Sequence, residues 1–370
     1  MTASFFNQTL QNASSRIAIS THQSISLLDK NEQSKDVAYD LKVRVMDKLL
    51  HADWNRYPSA SYHDIETKIA EYCHLQTENI VLSGGSATII TTLLNYFALN
   101  HKNITIAQPS YSLFDYHCKT YNIPYTPWYL TEELTFDYDH MPILNEDSVM
   151  IITSPNNPTG NRFDIDKLKD LLHMYPQSLI ILDGVYTEFC QDDVTLLINE
   201  YPNLIVLRSF SKAFPIAGLR LGYLCAHASI ASMVKKLILQ FSITPFSLTF
   251  AQEMLFDPLF MEDSKRRVQE IIQERNIMSN TLKQFFTEDV VKVFPSEGNF
   301  LLIKIIDTAM FTNLIDDLNE AGIKVLNTSS FTLLQNTFRV SMGNPTENKA
   351  FLHCMINSIE SNYYTKFMLN

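Results

Sequence analysis

Leu179-Ile180-Ile181-Leu182-Asp183-Gly184-Val185-Tyr186 is a run of four apolar residues that ends on an acid and a glycine. Four apolar residues are too few for a helix and suit a strand buried on both faces, with the polar tail at its carboxyl end. The same pattern recurs along the chain. Ile80–Leu82, Ile104–Ala107, Val149–Thr153, Leu204–Leu207 and Leu219–Cys225 are further short apolar runs with helical segments between them. Strands alternating with helices imply an α/β fold with a mainly parallel sheet covered by helices on both faces. Such sheets place their ligands at the carboxyl ends of the strands.

Beyond residue 245 the pattern changes. A long helical stretch, Glu262–Phe286, is followed by strands near Asn299–Ile305 and Thr337–Ser341 with a helix between, which reads as a smaller α+β domain. Val37, Leu41, Val45 and Leu49 recur at helical spacing, so residues 37–50 are expected to form a helix packed on a core. The expected organisation is an N-terminal segment, 1–50, joining the small domain, then a large ligand-binding domain, 51–245, and a small C-terminal domain, 246–370. Lys265-Arg266-Arg267 stands among Glu262, Asp263 and Glu270 and reads as a solvated helix face.

With 370 residues, 46% of them hydrophobic, the chain buries a large core in one or two domains. A net charge of -11 and a pI near 5.4 argue against nucleic acid or an anionic membrane as partner, because both require a dense cationic face. The apolar runs fall far below the roughly 20 residues of a membrane helix, and Met1–Leu10 lacks the pattern of a secretory signal. A cytoplasmic protein is expected. Cys73, Cys118, Cys190, Cys225 and Cys354 are odd in number and contain no C-x-x-C pair, so they read as reduced thiols, and no metal site is expected.

The nine glycines are scarce against the roughly 7% of ordinary proteins, so each points to a turn or a close approach. Ser83-Gly84-Gly85-Ser86-Ala87-Thr88 follows a strand and opens an apolar helix, where free N–H groups and the helix dipole make an anion site. A tight strand-to-helix turn would carry the same residues. Four other segments stand at strand ends: Ser154-Pro155-Asn156-Asn157-Pro158-Thr159-Gly160, Asp183-Gly184-Val185-Tyr186, Ser209-Phe210-Ser211-Lys212 and Gly218-Leu219-Arg220-Leu221-Gly222-Tyr223. Singly they read as a turn, a strand-end acid, a cap and a surface arginine. In this order they form a specific set.

Together with Arg56-Tyr57-Pro58, Pro109-Ser110-Tyr111, Pro295-Ser296-Glu297-Gly298-Asn299-Phe300 and Phe338-Arg339-Val340-Ser341, the set closely resembles the fold-type I pyridoxal-phosphate aminotransferases. The similarity is greatest to the histidinol-phosphate aminotransferase branch and runs from about Asn31 to Gly343. It implies a pyridoxal 5'-phosphate enzyme that moves an amino group between a small-molecule donor, histidinol phosphate, and a 2-oxo acid. Residues 51–245 would hold the cofactor.

Such chemistry requires an amine that bonds the cofactor's aldehyde reversibly, which the resemblance assigns to Lys212. Asp183 matches the carboxylate that keeps the pyridine nitrogen protonated. Asn157 and Tyr186 match the hydrogen-bonding partners of the ring phenolate, and Tyr111 the ring stacked on the pyridine. Gly85, Ser86, Ala87, Ser209, Ser211 and Arg220 match the phosphate cradle. Tyr57 would reach the phosphate of a second subunit, which implies a homodimer with shared sites. Arg339 matches the arginine that grips the substrate carboxylate, supported by Asn299.

Three departures stand out. Ala87 and Thr88 replace an acidic pair, and backbone donors survive that change. Gly184 replaces the usual Glu, a difference of local packing. In Lys324-Val325-Leu326-Asn327, Leu326 stands where a phosphate-pairing arginine is usual, which removes a contact worth about 1.5–3 kcal/mol. Aromatic or other amino acids therefore compete with histidinol phosphate as donor. Leu207-Arg208-Ser209 and the segment from Ile216 to Tyr223 are also similar to threonine-phosphate decarboxylases. A cofactor-domain transcriptional regulator fits less well, since no basic DNA-binding module precedes residue 31.

Overall fold

The computed structural model describes residues 8–12, 26–59 and 61–368, so much of the N-terminal segment lies outside the described residues. In chain order its helices and strands are α1 (Gln8–Asn12), β1 (Ser26–Leu28), α2 (Tyr39–Leu50), α3 (His63–Cys73), β2 (Ile80–Ser83), α4 (Ser86–Leu99), β3 (Ile104–Gln108), α5 (Ser112–Tyr121) and β4 (Thr126–Tyr129). There follow β5 (Val149–Thr153), α6 (Ile165–Met174), β6 (Leu179–Asp183), β7 (Leu204–Ser209), β8 (Gly222–Ala226), α7 (Ala228–Leu237), α8 (Pro245–Leu255) and α9 (Pro258–Phe285). The chain ends with β9 (Val291–Val293), β10 (Phe300–Ile305), α10 (Thr308–Glu320), β11 (Ile323–Asn327), β12 (Thr337–Ser341) and α11 (Pro345–Met368).

The larger sheet has seven strands in the order β2-β8-β7-β6-β5-β3-β4. From β4 to β7 the pairings are parallel, and β8 is antiparallel to both β7 and β2. The run Leu219–Cys225 is therefore not one strand. A 3-10 turn occupies Ala217–Leu219, Arg220 has φ +53, and the chain enters the sheet only at Gly222. A left-handed residue breaks an extended run, and burial periodicity does not register that reversal.

Strand alternation decides what each face carries. Met150, Ile152, Ile180, Leu182, Leu204 and Val206 belong to one buried cluster, and Val149, Ile151, Ile181, Ile205 and Leu207 to another across the sheet. Each such side chain contributes roughly 1.5–3 kcal/mol by its burial. Continued by two residues, the second face carries Thr153, Asp183 and Ser209 at the strand ends, toward the starts of α4 and α5. Arg208 belongs to the first face.

The smaller sheet runs β1-β11-β12-β10-β9 over a third cluster that includes Leu301, Ile303, Phe338 and Phe351. β1 joins its edge in parallel, with Ser26 opposite Ile323 and Leu28 opposite Val325. The buried face of α2, Leu41, Val45 and Leu49, packs with the first cluster of the large sheet instead. The basic cluster on α9 is only partly solvated. Arg266 is exposed and pairs with Asp263 and Glu270, whereas Arg267 is mostly buried and donates to the carbonyls of Lys35 and Asp36 at 3.0 and 3.2 Å.

Gly222 lets β8 pass directly under the start of α4: a Cβ there would lie 2.4 Å from Ser86 N and 2.9 Å from the Gly85 carbonyl carbon. Backbone cannot yield as a side chain can, so Gly222→Ala is expected to cost about 1–3 kcal/mol. Gly218→Ala meets nothing within 4 Å and serves as the control. Thermal unfolding of the two variants should show a lowered Tm for the first and none for the second.

Candidate active site

A cavity of about 520 Å3 opens where the carboxyl ends of β5, β6 and β7 meet the first turns of α4 and α5. At one end it is built to receive an anion. α4 presents Ser86 and Ala87, whose N–H groups have no acceptor within the helix. Gly85 does not line the cavity. Its N–H donates to the Ser83 carbonyl at 2.7 Å, and its φ of +97 turns the chain into the helix. It also makes room for Arg220, whose Nη2 would lie 3.1 Å from a Cβ at residue 85. The hydroxyls of Ser209 and Ser211 complete this end, the former accepting the Ser211 N–H at 3.1 Å.

Lys212 follows directly and faces the cavity, its Nζ donating to the carbonyl of Lys30 at 2.8 Å. Burial, helped by the positive Arg339 and Arg220, pulls its pKa down to about 8, against the opposing pull of Glu32 and Asp183. A larger share of neutral amine makes a better nucleophile. Asp183, at the end of β6, is 1% exposed. Burial pushes it up to about 7, although the Val185 N–H and Lys212 act in the other direction. Its Oδ1 has no hydrogen-bond partner.

The opposite end is held by Arg339 on β12. This buried guanidinium donates through Nη1 to Asn157 Oδ1 and through Nη2 to the Asp29 carbonyl, and lies 5.4 Å from the Phe300 ring centroid. With Asn157 Oδ1 so engaged, its amide NH2 is left as the donor toward the cavity. Tyr186, 2% exposed, is pushed up to about 12 by burial and accepts from Asn31 Nδ2 at 2.8 Å. Tyr111 caps α5 beside the cavity, its ring edge-on to Phe114.

Asn299 does not touch the cavity; its Nδ2 donates to the Asn31 carbonyl at 3.0 Å. Tyr57 is exposed and packs on Phe241, 4.9 Å between centroids, away from its own chain's cavity. In the sequence Asn31-Glu32-Gln33-Ser34 only loosely echoes the family's Asn-Glu-Asn-Pro and carries no site role, yet Asn31 and Gln33 are central here. Asn31, fully buried with φ +56, uses every polar atom: its N–H donates to Ser341 Oγ, its Oδ1 accepts from that hydroxyl, and Nδ2 and the carbonyl serve Tyr186 and Asn299. Gln33 Nε2 donates to the carbonyls of Lys212 and Ala213 at 3.3 and 2.7 Å. Their partners lie 155 to 310 residues away in sequence, so local pattern did not show what they bond. Gly184 has no room for a side chain, since a Cβ would lie 2.8 Å from Thr187 Oγ1.

Residues 24–354 match the family described as Aminotransferase class I and II. The chain belongs to the class I and II aminotransferases. It is 31% identical over 329 residues to the histidinol-phosphate aminotransferase of Thermococcus gammatolerans, covering 89% of this chain and 90% of that one. The solved histidinol-phosphate aminotransferase from Clostridium acetobutylicum superposes with a TM-score of 0.81 at 23% identity, covering 91% of this aminotransferase and 100% of that chain. The enzyme from Sinorhizobium meliloti, solved in complex with pyridoxal-5'-phosphate, gives 0.78 at 16% identity over 96% and 98%. At those identities the two structures speak to the fold alone.

The cofactor of this aminotransferase is pyridoxal phosphate. The donor set fits it: an unpartnered carboxylate oxygen suits a protonated ring nitrogen, and a helix start with two serines and an arginine suits a phosphate. Among the described residues no group of three or more His, Cys, Asp or Glu is placed to hold a metal ion.

Two outcomes follow. An acid at about 7 when folded and about 3.9 when unfolded binds more protons folded between those values. The cofactor-free protein should therefore lose stability as pH rises from about 4 to about 7, and Asp183→Asn should remove that loss. Thermal unfolding across pH reads it, separate from the window above about 8 in which Lys212 titrates. Asn31→Ala strips a donor from Tyr186 and an acceptor from Ser341, leaves the main-chain contact with Asn299, and strains a left-handed position, at a cost of about 2–4 kcal/mol.

Proposed function

We propose that this aminotransferase moves the amino group of histidinol phosphate, the donor for which its relatives are named, to a 2-oxo acid. Histidine biosynthesis is the corresponding pathway. The observation that carries the chemistry is Lys212 Nζ facing the same cavity as Asp183, whose Oδ1 has no hydrogen-bond partner, and the open first turn of α4. Bound pyridoxal phosphate supplies an electron sink for charge released at the substrate carbon. Lys212 would anchor it covalently and would carry a proton to and from that carbon. Asp183 holds the ring nitrogen protonated. Tyr186 and the Asn157 amide donate to the ring oxygen, and Tyr111 covers the ring face. Ser86, Ala87, Ser209, Ser211 and Arg220 hold the phosphate, with Gly85 shaping the turn. Arg339 takes the donor's anionic group, and Asn299 acts at one remove by fixing Asn31.

A second reading, an α-amino acid donor, is favoured by Leu326. It lines the cavity and stands opposite Arg339 in the β11–β12 register. Lys324 does not make up the charge, because it pairs with Asp29 at 3.4 Å. A carboxylate is satisfied by one guanidinium, whereas a phosphate ester gains from two.

A homodimer, with Tyr57 of each subunit serving the other's site, is supported by an uncovered apolar stripe on α2. Tyr39, Val43, Met46 and Leu50 are exposed, as are Trp54 just beyond the helix and Phe241, which packs on Tyr57. A cytoplasmic location accords with the five unpaired cysteines. No helix among the described residues is long and apolar enough to cross a membrane.

Lys212→Ala should abolish both turnover and the borohydride-trapped covalent adduct; a retained adduct would refute the assignment of Lys212. Spectroscopic titration of the holoenzyme with a panel of amino donors should find histidinol phosphate converted with the highest efficiency, and Leu326→Arg should raise that efficiency about 10- to 100-fold relative to histidine. Parent selectivity for an amino acid would favour the second reading. Carbon dioxide released from phosphothreonine, with no transfer to 2-oxoglutarate, would point to decarboxylation.

A further inference from the structure

The short segment from Asp29 to Gln33 bonds in turn to groups on which the chemistry rests. The Asp29 carbonyl accepts from Arg339, the Lys30 carbonyl accepts from Lys212 Nζ at 2.8 Å, and Asn31 Nδ2 donates to Tyr186 at 2.8 Å. Gln33 Nε2 then donates to the main-chain carbonyls of Lys212 and Ala213, at 3.3 and 2.7 Å. One segment thus holds Lys212 twice, by its amine and by its backbone.

The two holds differ in when they can act. The amine must leave the Lys30 carbonyl to reach the cofactor or the donor carbon, whereas a bond to the main chain is indifferent to what the amine does. Lys212 and Ala213 lie in an irregular stretch between β7 and the 3-10 turn at Ala217, and among the described residues no backbone N–H reaches either carbonyl. The Gln33 amide alone supplies both. Ala213 is 1% exposed, so water is poorly placed to take over its carbonyl. Asn31, two residues away, uses every polar atom and so fixes the backbone from which Gln33 reaches.

Lysine carries its amine on a flexible four-carbon stem, so a small turn of its backbone is amplified at Nζ. Proton transfer needs the heavy atoms within about 3.2 Å of each other, and a misplacement of about 1 Å costs about 100-fold. We propose that Gln33 is a positioning residue for the proton step, fixing the backbone pivot from which Lys212 reaches the donor carbon. The inference rests on the role given to Lys212 above.

Gln33→Met keeps the length of the side chain and removes both N–H donors. The variant holoenzyme should retain the borohydride-trapped adduct in full. Hydroxylamine, which displaces Lys212 without a proton step at carbon, should release the cofactor at the parent's rate. Single turnover should be followed with L-glutamate and with histidinol phosphate, each with and without deuterium on the carbon that bears the amine. It should slow about 10- to 100-fold, with a deuterium isotope effect no smaller than the parent's. The donor concentration at half-saturation should move less than about threefold. Parent-like single-turnover rates, a vanished isotope effect, a hydroxylamine reaction slowed in proportion to turnover, or loss of the trapped adduct would each overturn the proposal. A parent that converts neither donor overturns this inference together with the reading on which it rests, whereas a converting parent beside an unchanged variant overturns this one alone.

Discussion

The fully buried amide of Asn31 is the contact on which the rest of the site depends. Asn31 meets Tyr186 just beyond β6, Ser341 of β12 and, through its main-chain carbonyl, Asn299 just before β10, and lies in the segment that also brings Lys30 and Gln33 to the lysine loop. A buried amide with all its groups paired adopts one geometry, because every alternative leaves a polar atom without water or partner. The two sheets, which share no strand, are thereby held at a spacing that leaves a cavity between Arg339 and the start of α4.

That cavity is also where burial acts on charge. Lys212 is drawn toward neutrality and Asp183 toward protonation by the same removal from water. The two groups need opposite things from a ligand: the lysine a carbonyl carbon to attack, the aspartate a cationic N–H to accept. An aromatic aldehyde with a basic ring nitrogen answers both, which is why a site that is electrostatically uncomfortable alone is well suited to pyridoxal phosphate.

The seven-stranded sheet separates two environments with adjacent residues. Ser209 and Arg208 are neighbours in sequence on β7, yet one contributes a hydroxyl to the cofactor side and the other a buried ion pair on the far side. The segment from Lys212 to Phe214 lies between them, with the active site on one side and a smaller cavity on the other.

Much was legible in the sequence by itself. Short apolar runs separated by helices encode a doubly covered sheet because they suit burial on both faces, and the strand-end motifs at Asn157, Asp183, Ser211 and Arg220, bland singly, resemble one family when taken in order. What only the tertiary structure decided is how distant segments meet. The clasp of Arg267 on Lys35 and Asp36 and the knot at Asn31 join partners that sequence order keeps apart, while the break at Arg220 that turns β8 antiparallel and the engagement of the Gly85 N–H are local turns that apolar periodicity does not report. Periodicity reports which face of one element is buried. It carries no information about which buried polar atom, hundreds of residues away, will satisfy which other, since hydrogen bonds are short-ranged and form only once packing has brought their partners together.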